Sequence, residues 1–453
     1  VSFQTWLGKT HYTAKKKEAL QRLYARTVFL GSDDFSKYET FCKCFDKNEP
    51  YPTWKNPRGI FARKDEFKCR VGPIFKLIEE ALFRMKFFIK KVPVNQRAHL
   101  IRKLFGLLPG YTDKCADELL RFMATDFTAF ESSFTNEFME ACEFQLYDYM
   151  VSELPEGVRF MELLRSALAG ENFCVFAGII IRLLAGRMSG EMNTSLGNGF
   201  SNLMMFLFAV EEFDLQYAKC LIEGDDCIAS YVGVMIPKAF YAQLGFNIKT
   251  EYLVSPNLAS FCGQIFDFET LTVIADPIKV ILNIAWCHIL YARSTTRKLH
   301  GLLKNRAQSC IYQYPGCPII QSLGLYLLRS TCGVNAVIEV GLDSYKRHIA
   351  ECAANSFLPI RDVSISSRLL MNEVYGISVP EQLSLEKYFD SLNVVQPLSH
   401  PVIYAHCKTE WFDFNEQYVS ERLGSYVILP NIRGAFSKSL LNLLNVIKTQ
   451  NKK

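Results

Sequence analysis

Apolar positions divide the chain into stretches of different rhythm. Up to about residue 110 they are irregular, interleaved with basic and aromatic side chains, and broken by Lys15-Lys16-Lys17 and the turn-rich Asn48-Glu49-Pro50-Tyr51-Pro52. Within this stretch Ile74, Leu77, Ile78, Ala81 and Leu82 recur at helical spacing and predict an amphipathic helix over about 73–91. From about 119, strand and helix patterns alternate. Leu119 to Phe127 reads as a buried strand, and Met139, Cys142, Leu146, Tyr149 and Met150 mark one helix face. Phe173 to Ile181, cut off by Arg182, is short enough for a buried strand, and about 200–212 is apolar on nearly all sides, which predicts a buried helix. Lys219 to Tyr231 reads as two short strands about Glu223-Gly224-Asp225-Asp226. After about 275 the pattern is helical, with loops expected at 314–318 and 356–362 and a last helix over roughly 435–448 before Lys452-Lys453. The middle is therefore expected to be α+β and the ends mostly helical.

Charge sharpens this division. The net charge of the 453 residues is +5, but residues 1–110 hold 23 Lys/Arg against 10 Asp/Glu, and residues 111–270 hold 9 against 23. Residues 271–453 return to 19 against 13. An acidic middle between basic flanks suits a protein that holds cations centrally and a polyanion around them. A hydrophobic share of 49% with 13% aromatics excludes a disordered chain. No apolar run reaches the roughly 18 residues of a membrane-spanning helix. Fifteen scattered cysteines, many inside apolar runs, fit a reducing compartment better than a disulfide framework. No signal peptide opens the chain, and Val1 in place of Met is expected of a processed product or a trimmed fragment.

Three groups of residues carry chemistry. Two adjacent carboxylates on the tight turn Gly224-Asp225-Asp226 repel each other, and a divalent cation reverses that balance. An ordinary type I′ turn is the bland reading, and the tripeptide arises by chance in roughly one such chain in ten. Asp126 ends an apolar strand, where a charge needs a partner, and Glu131 follows five positions on. A helix N-cap would also account for Asp126. If its strand lies beside the hairpin, Asp126 and Asp225 could bridge two metals about 4 Å apart, as in-line phosphoryl transfer requires. The third block is Arg187-Met188-Ser189-Gly190-Glu191-Met192-Asn193-Thr194-Ser195-Leu196-Gly197-Asn198. Ser189-Gly190 makes a flexible loop, and Thr194 and Asn198, four apart, share a face able to read a ribose 2′-hydroxyl.

The order Asp126…Glu131, Ser189-Gly190…Thr194…Asn198, Gly224-Asp225-Asp226 resembles motifs A, B and C of viral RNA-dependent RNA polymerases, most closely those of the tombusvirus-like group of positive-strand RNA viruses. Pro57-Arg58-Gly59-Ile60-Phe61-Ala62-Arg63 looks like motif F, Lys249 fits motif D, and Phe261-Cys262-Gly263-Gln264 fits motif E. The resemblance covers about residues 55–265. It implies an α+β right-hand polymerase, with fingers over 1–115 and a return segment near 150–186, a palm with an antiparallel sheet over 116–270, and a helical thumb over 271–453. It implies two Mg²⁺ or Mn²⁺ ions held by Asp126 and Asp225 with Asp226 in support, and Arg58 and Arg63 on the incoming triphosphate. Asn198 with Thr194 would check the ribose, and Lys249 would protonate the leaving pyrophosphate. Glu131 stands where the family usually has Asp, one methylene shorter. The implied partners are RNA template and product strands, ribonucleoside triphosphates and other viral replication proteins. The implied place is a replication complex in the host cytoplasm, with any membrane association peripheral and through partners.

Two other classes compete. A two-metal nuclease would want the carboxylates but not the ribose-reading block. A catalytically weak, polymerase-shaped RNA-binding scaffold would normally have lost one of the three aspartates. Gly8-Lys9-Thr10 is not a P-loop, because the required earlier glycine is Phe3. Asn193-Thr194-Ser195 is a glycosylation sequon in form only. Cys42-Lys43-Cys44 with Cys69, and His406-Cys407, lack the spacing of a zinc finger.

Overall fold

Two four-stranded sheets are assembled from strands far apart in the sequence. The computed structural model describes residues 2–10, 12–29, 41–47, 56, 58–105, 120–253, 255–284, 286–342, 344–409 and 411. The chain forms two compact units, one of residues 1–48 and 57–265, the other of 49–56 and 266–453. The turn at 48–52, Pro57, the 115/116 boundary and the expected helix at 435–448 lie outside the described residues.

In the first unit, one sheet has the order β2-β1-β4-β5, built from β1 (Cys42–Asp46), β2 (Gly59–Arg63), β4 (Glu171–Phe176) and β5 (Ile179–Leu184). The other is antiparallel throughout, in the order β6-β7-β3-β8. It comprises β3 (Leu120–Phe127), β6 (Gln216–Glu223), β7 (Asp226–Val232) and β8 (Ile248–Leu253). Strand β7 is central and buried from Cys227 to Tyr231, which is why its apolar residues run consecutively rather than alternating. Around the sheets lie α1 (Phe3–Lys9), α2 (Ala14–Phe29), α3 (Asp65–Leu82), α4 (Val94–Phe105), α5 (Asn136–Ala141), α6 (Glu143–Val151), α7 (Gly157–Leu168), α8 (Thr194–Glu212) and α9 (Lys238–Gln243).

Four expectations need correction. The helix expected at 73–91 is α3, which starts at Asp65 with acidic residues in its first turn and ends at Leu82. Its buried stripe is Phe67, Val71, Phe75, Ile78 and Leu82, and residues beyond it instead turn toward β6, where Phe88 bridges Ile222. The expected face Met139 to Met150 is split, because Cys142 leaves helical geometry (φ −121°, ψ −85°) between α5 and α6. That shift of phase buries Phe144, Tyr147 and Val151 and leaves Tyr149 77% exposed. The run Phe173 to Ile181 is a hairpin, and its outer strand β5, which pairs only with β4 among the described residues, is exposed along its whole length. The helix expected at 200–212 begins at Thr194, and Leu207 and Phe208 near its end are exposed.

The second unit carries a small hairpin of β9 (Ile265–Asp267), whose first residue is counted in the first unit, and β10 (Thr272–Ile274). Its helices are α10 (Pro277–Asn283), α11 (Thr296–Gln313), α12 (Ile320–Ser330), α13 (Ser344–Asn355), α14 (Ile365–Tyr375), α15 (Val379–Ser391) and α16 (Pro401–His406). The loops expected at 314–318 and 356–362 separate α11 from α12 and α13 from α14. No helix among the described residues is long and apolar enough to cross a membrane.

Asp267 ties this hairpin to the start of α14. Its Oδ2 accepts hydrogen bonds from Thr270 (2.6 Å), Ser366 (2.7 Å) and Ser367 (2.7 Å), while Glu269 N–H donates to Oδ1 (3.0 Å). Burial by itself would raise the Asp267 pKa; the donors outweigh it and hold the carboxyl below the usual range. A depressed folded-state pKa contributes stability above the unfolded value, about 3.9, that is lost as pH falls through the folded value. Thermal melts from pH 7 to 3 should therefore show an acid-dependent loss in the wild type that is smaller in Asp267→Asn. Equal slopes for the two proteins would refute this role.

Candidate active site

The hairpin between β6 and β7 turns on two residues, Gly224 and Asp225, with Glu223 paired to Asp226. Only Gly224 has positive φ (+66°), as in a type II′ turn, so the ordinary type I′ turn of the bland reading, which needs positive φ at both positions, is not what forms here. Strand β3 lies against β7 in antiparallel register as far as Thr125↔Cys227. Asp126, the next residue of β3, therefore stands across from Asp226 at the end of the ladder. On its other side Asp126 pairs with Lys249 of β8.

These carboxylates feel one another. Burial raises the pKa of Asp225, and the charges of Glu131 and Asp126 raise it further, with Arg58 acting the opposite way. Asp226 is pushed up to about 7 by burial, then by Asp225 and Asp126. Hard oxygen donors that repel one another and are only partly offset by Arg58 fit a divalent cation in charge and in donor type. Among the described residues, however, no three His, Cys, Asp or Glu side chains are grouped closely enough to form a finished cage.

After β3 the chain is fixed by aromatic packing. Phe127, Phe130 and Phe134 meet Phe246 with ring centroids 5.3 to 6.0 Å apart, and Ala129 turns the backbone through the left-handed region (φ +52°). Glu131 follows, held through its carbonyl by Arg187 N–H (3.0 Å). Helix α8 then brings the parts together. Asn198 Nδ2 donates to Glu131 Oε1 (3.2 Å), and one turn on, Asn202 Nδ2 donates to the carbonyls of Gly224 (3.1 Å) and Asp225 (2.9 Å). Both side chains are buried, and Asn198 Oδ1 has no hydrogen-bond partner among the described residues. Asn202 was not singled out by its sequence context; its signal is the spacing of four from Asn198, which puts both on one helix face.

The loop before α8 is stitched to β2. Ser189 Oγ accepts from Phe61 N–H (3.2 Å) and donates to the Gly59 carbonyl (3.3 Å), while Gly190 N–H donates to Phe61 O (2.8 Å). A Cβ at Gly190 would lie 2.8 Å from that carbonyl oxygen, so the close approach requires glycine. Beneath the loop, Arg187 forms a buried ion pair with Glu143 (2.5 Å) and lies over the Phe134 ring at 4.3 Å. Tyr147 donates to Glu143 (3.0 Å), and Asn193 donates to Tyr147 (3.2 Å).

Comparison of the sequence with known proteins gives a family match. Residues 32–254 match the family model described as viral RNA dependent RNA polymerase. This segment is similar to the viral RNA-dependent RNA polymerases. The chain is 22% identical over 403 residues to the RNA-directed RNA polymerase of Turnip crinkle virus, covering 84% of this chain and 48% of that protein. It is 25% identical over 386 residues to the RNA-directed RNA polymerase of Panicum mosaic virus, covering 79% of this chain and 36% of that protein. The chain thus spans half or less of the length of these relatives.

Against the pattern of the polymerase family, two expected roles change. Arg63 was expected on a triphosphate, but its side chain is buried. It pairs with Glu191 (2.5 Å) and donates to Asn172 Oδ1 (2.5 Å) and Ala167 O (2.7 Å), so it fastens the Ser-Gly loop to the sheet. Thr194 Oγ1 donates to Met188 O (2.8 Å) and accepts from Glu191 N–H (3.1 Å), so its hydroxyl closes that loop and is not presented to a ribose. Arg58 remains exposed, and its charge reaches Asp225. Lys249 is exposed and paired with Glu251, which raises its pKa, with Asp126 adding to the effect. Two further contacts were not legible in the polymerase motifs: Arg97 of α4 pairs with Glu223 (2.7 Å), and Lys90 Nζ bonds Ser195 Oγ.

Proposed function

We propose that this chain catalyses RNA-templated RNA synthesis, the attack of an RNA 3′-hydroxyl on the α-phosphate of a ribonucleoside triphosphate with release of pyrophosphate. The observation that carries the reading is the double grip of α8, which bonds Glu131 through Asn198 and the carboxylate hairpin through Asn202. A helix that joins a ribose-checking pair to an acidic hairpin serves nucleotide addition and has no evident use in RNA cleavage. Asp126 and Asp225, with Asp226 in support, would hold two Mg²⁺ or Mn²⁺ ions, which when bound activate the nucleophile and neutralise charge on the leaving oxygens.

The protein's own groups orient the substrates. Arg58, exposed and electrostatically coupled to Asp225, would meet the triphosphate. The unpartnered Asn198 Oδ1 would accept a hydrogen bond from the ribose 2′-hydroxyl, with Glu131 fixing the orientation of the amide. Lys249, the ladder partner of Asp126 on β8, would protonate the pyrophosphate. In this reading residues 1–115 and about 150–186 form the fingers, 116–270 the palm and 271–453 the thumb. The protein would act in a cytoplasmic replication complex with other viral replication proteins.

Primer extension on a defined RNA template tests the reading directly. Ribonucleotides should be incorporated only with Mg²⁺ or Mn²⁺, and in preference to deoxyribonucleotides. Asn198→Ala should narrow that preference about tenfold, the worth of one hydrogen bond of roughly 1 to 1.5 kcal/mol. Absence of extension by the wild type would sink the reaction; equal use of both sugars would sink the ribose assignment.

A further inference from the structure

The stretch Ala81 to Thr112 contains seven Lys/Arg and not one Asp or Glu. Its first part crosses to the outer edge of the carboxylate-bearing sheet. Ile222 N–H of β6 donates to Phe87 O (2.8 Å) and Ile89 N–H donates to Ile222 O (3.3 Å), so the segment covers an edge that would otherwise expose backbone. Two of the seven cations are taken up at once, Arg97 by Glu223 and Lys90 by Ser195 at the first turn of α8. These bonds, together with Lys90 lying over the Phe83 ring, fix the segment two residues before Gly224.

Arg84, Lys86 and Lys91 differ from those two. All three are exposed, and none has a carboxylate within ion-pair distance among the described residues. We propose that residues 84–91 form a ridge that binds the phosphodiester backbone of an RNA strand through Arg84, Lys86 and Lys91. The proposal rests on the polymerase reading for its location: a strand lying at the hairpin carboxylates must pass the edge of β6, and the acidic middle of the chain would repel it there. Exposed cations outside any ion pair among the described residues, with Lys86 over the Phe87 ring at 5.4 Å, offset the repulsion without reading sequence, since contacts to phosphates position a strand and base contacts specify it. An anionic lipid surface would be drawn by the same charges, but it has no reason to sit beside a carboxylate hairpin.

Binding of a fluorescent single-stranded RNA, followed by anisotropy over a range of monovalent salt, tests the ridge apart from catalysis. Each phosphate contact contributes about 0.7 to the slope of log affinity against log salt on single strands. The triple variant Arg84→Ala/Lys86→Ala/Lys91→Ala should lower that slope by about 2, and each single variant by a share of it. Lys15→Ala/Lys17→Ala, which removes two cations from α2, should leave it unchanged. An unmoved slope in the triple variant, with wild-type primer extension intact, would overturn the ridge and leave the polymerase reading standing. Equal falls in both variants would overturn it by showing a diffuse charge effect. So would loss of binding to phosphatidylserine vesicles without change toward RNA. Wild-type protein that binds RNA with the expected slope but never extends a primer would instead count against the polymerase reading.

Discussion

Asp225→Ala should reduce template-directed extension by on the order of 1,000-fold or more while the protein melts no lower than the wild type. The first half follows from the position of Asp225 in the hairpin turn, where the charge of Asp126 reaches it and where loss of about 4 kcal/mol of transition-state stabilisation is a factor of about 1,000. The second follows from the cost of keeping that carboxylate. Its pKa is raised by burial and by neighbouring acids, so at neutral pH its charged form is less favourable in the folded protein than in the unfolded chain. Removing it relieves the fold, as is common where function and stability compete. Thermal melting and primer extension on the same preparation check both halves. Undiminished synthesis by the variant would remove Asp225 from the reaction, and a collapse in melting temperature would show that its role is structural.

Glu143→Ala should have the largest effect on stability. Arg187 would be left buried without its carboxylate, and breaking one side of a buried pair costs about 3 to 5 kcal/mol. For a unit of this size that is a fall of roughly 10 °C in melting temperature. Glu143→Leu combined with Arg187→Met should recover most of that loss, because no buried charge then lacks a partner. The double variant should still synthesise RNA poorly, because the Arg187 side chain, paired with Glu143 and seated on the Phe134 ring, fixes the place of residue 187, whose backbone N–H anchors Glu131. A single variant that melts like the wild type would mean that the pair contributes nothing.

The legible part of the site was the part written in local spacing. Gly224-Asp225 turned as a hairpin, and Asn198 lay on the helix face that meets Glu131, because a turn and a helical face are set by neighbours in sequence. What was not legible depended on distant partners. Arg63 looks like a free cation at the end of an apolar strand until Glu191 closes on it from 128 residues away. Thr194 looks available until the loop before it folds back onto its hydroxyl. The exposed outer strand β5 has the composition of a buried one, and only its place at the edge of its sheet distinguishes the two. The break at Cys142 shifts the phase of a helix without leaving a glycine or proline to announce it.

The interleaving of the two sheets bears on how the chain comes into being. Strand β1 joins β4 through the pair Cys42↔Cys174, and β3 finds its neighbours only at 227–232 and 248–253. During synthesis, an emerging chain that has reached residue 170 carries three strands destined for these sheets and can pair only two of them, β1 with β2. Neither sheet is finished until its late strands leave the ribosome, and β8 closes the second one after the carboxylates and α8 have already appeared. Contacts of such long range form slowly. The acidic hairpin therefore acquires its full surroundings only near the end of this unit's synthesis, so unfinished chains lack a completed site with which to engage RNA.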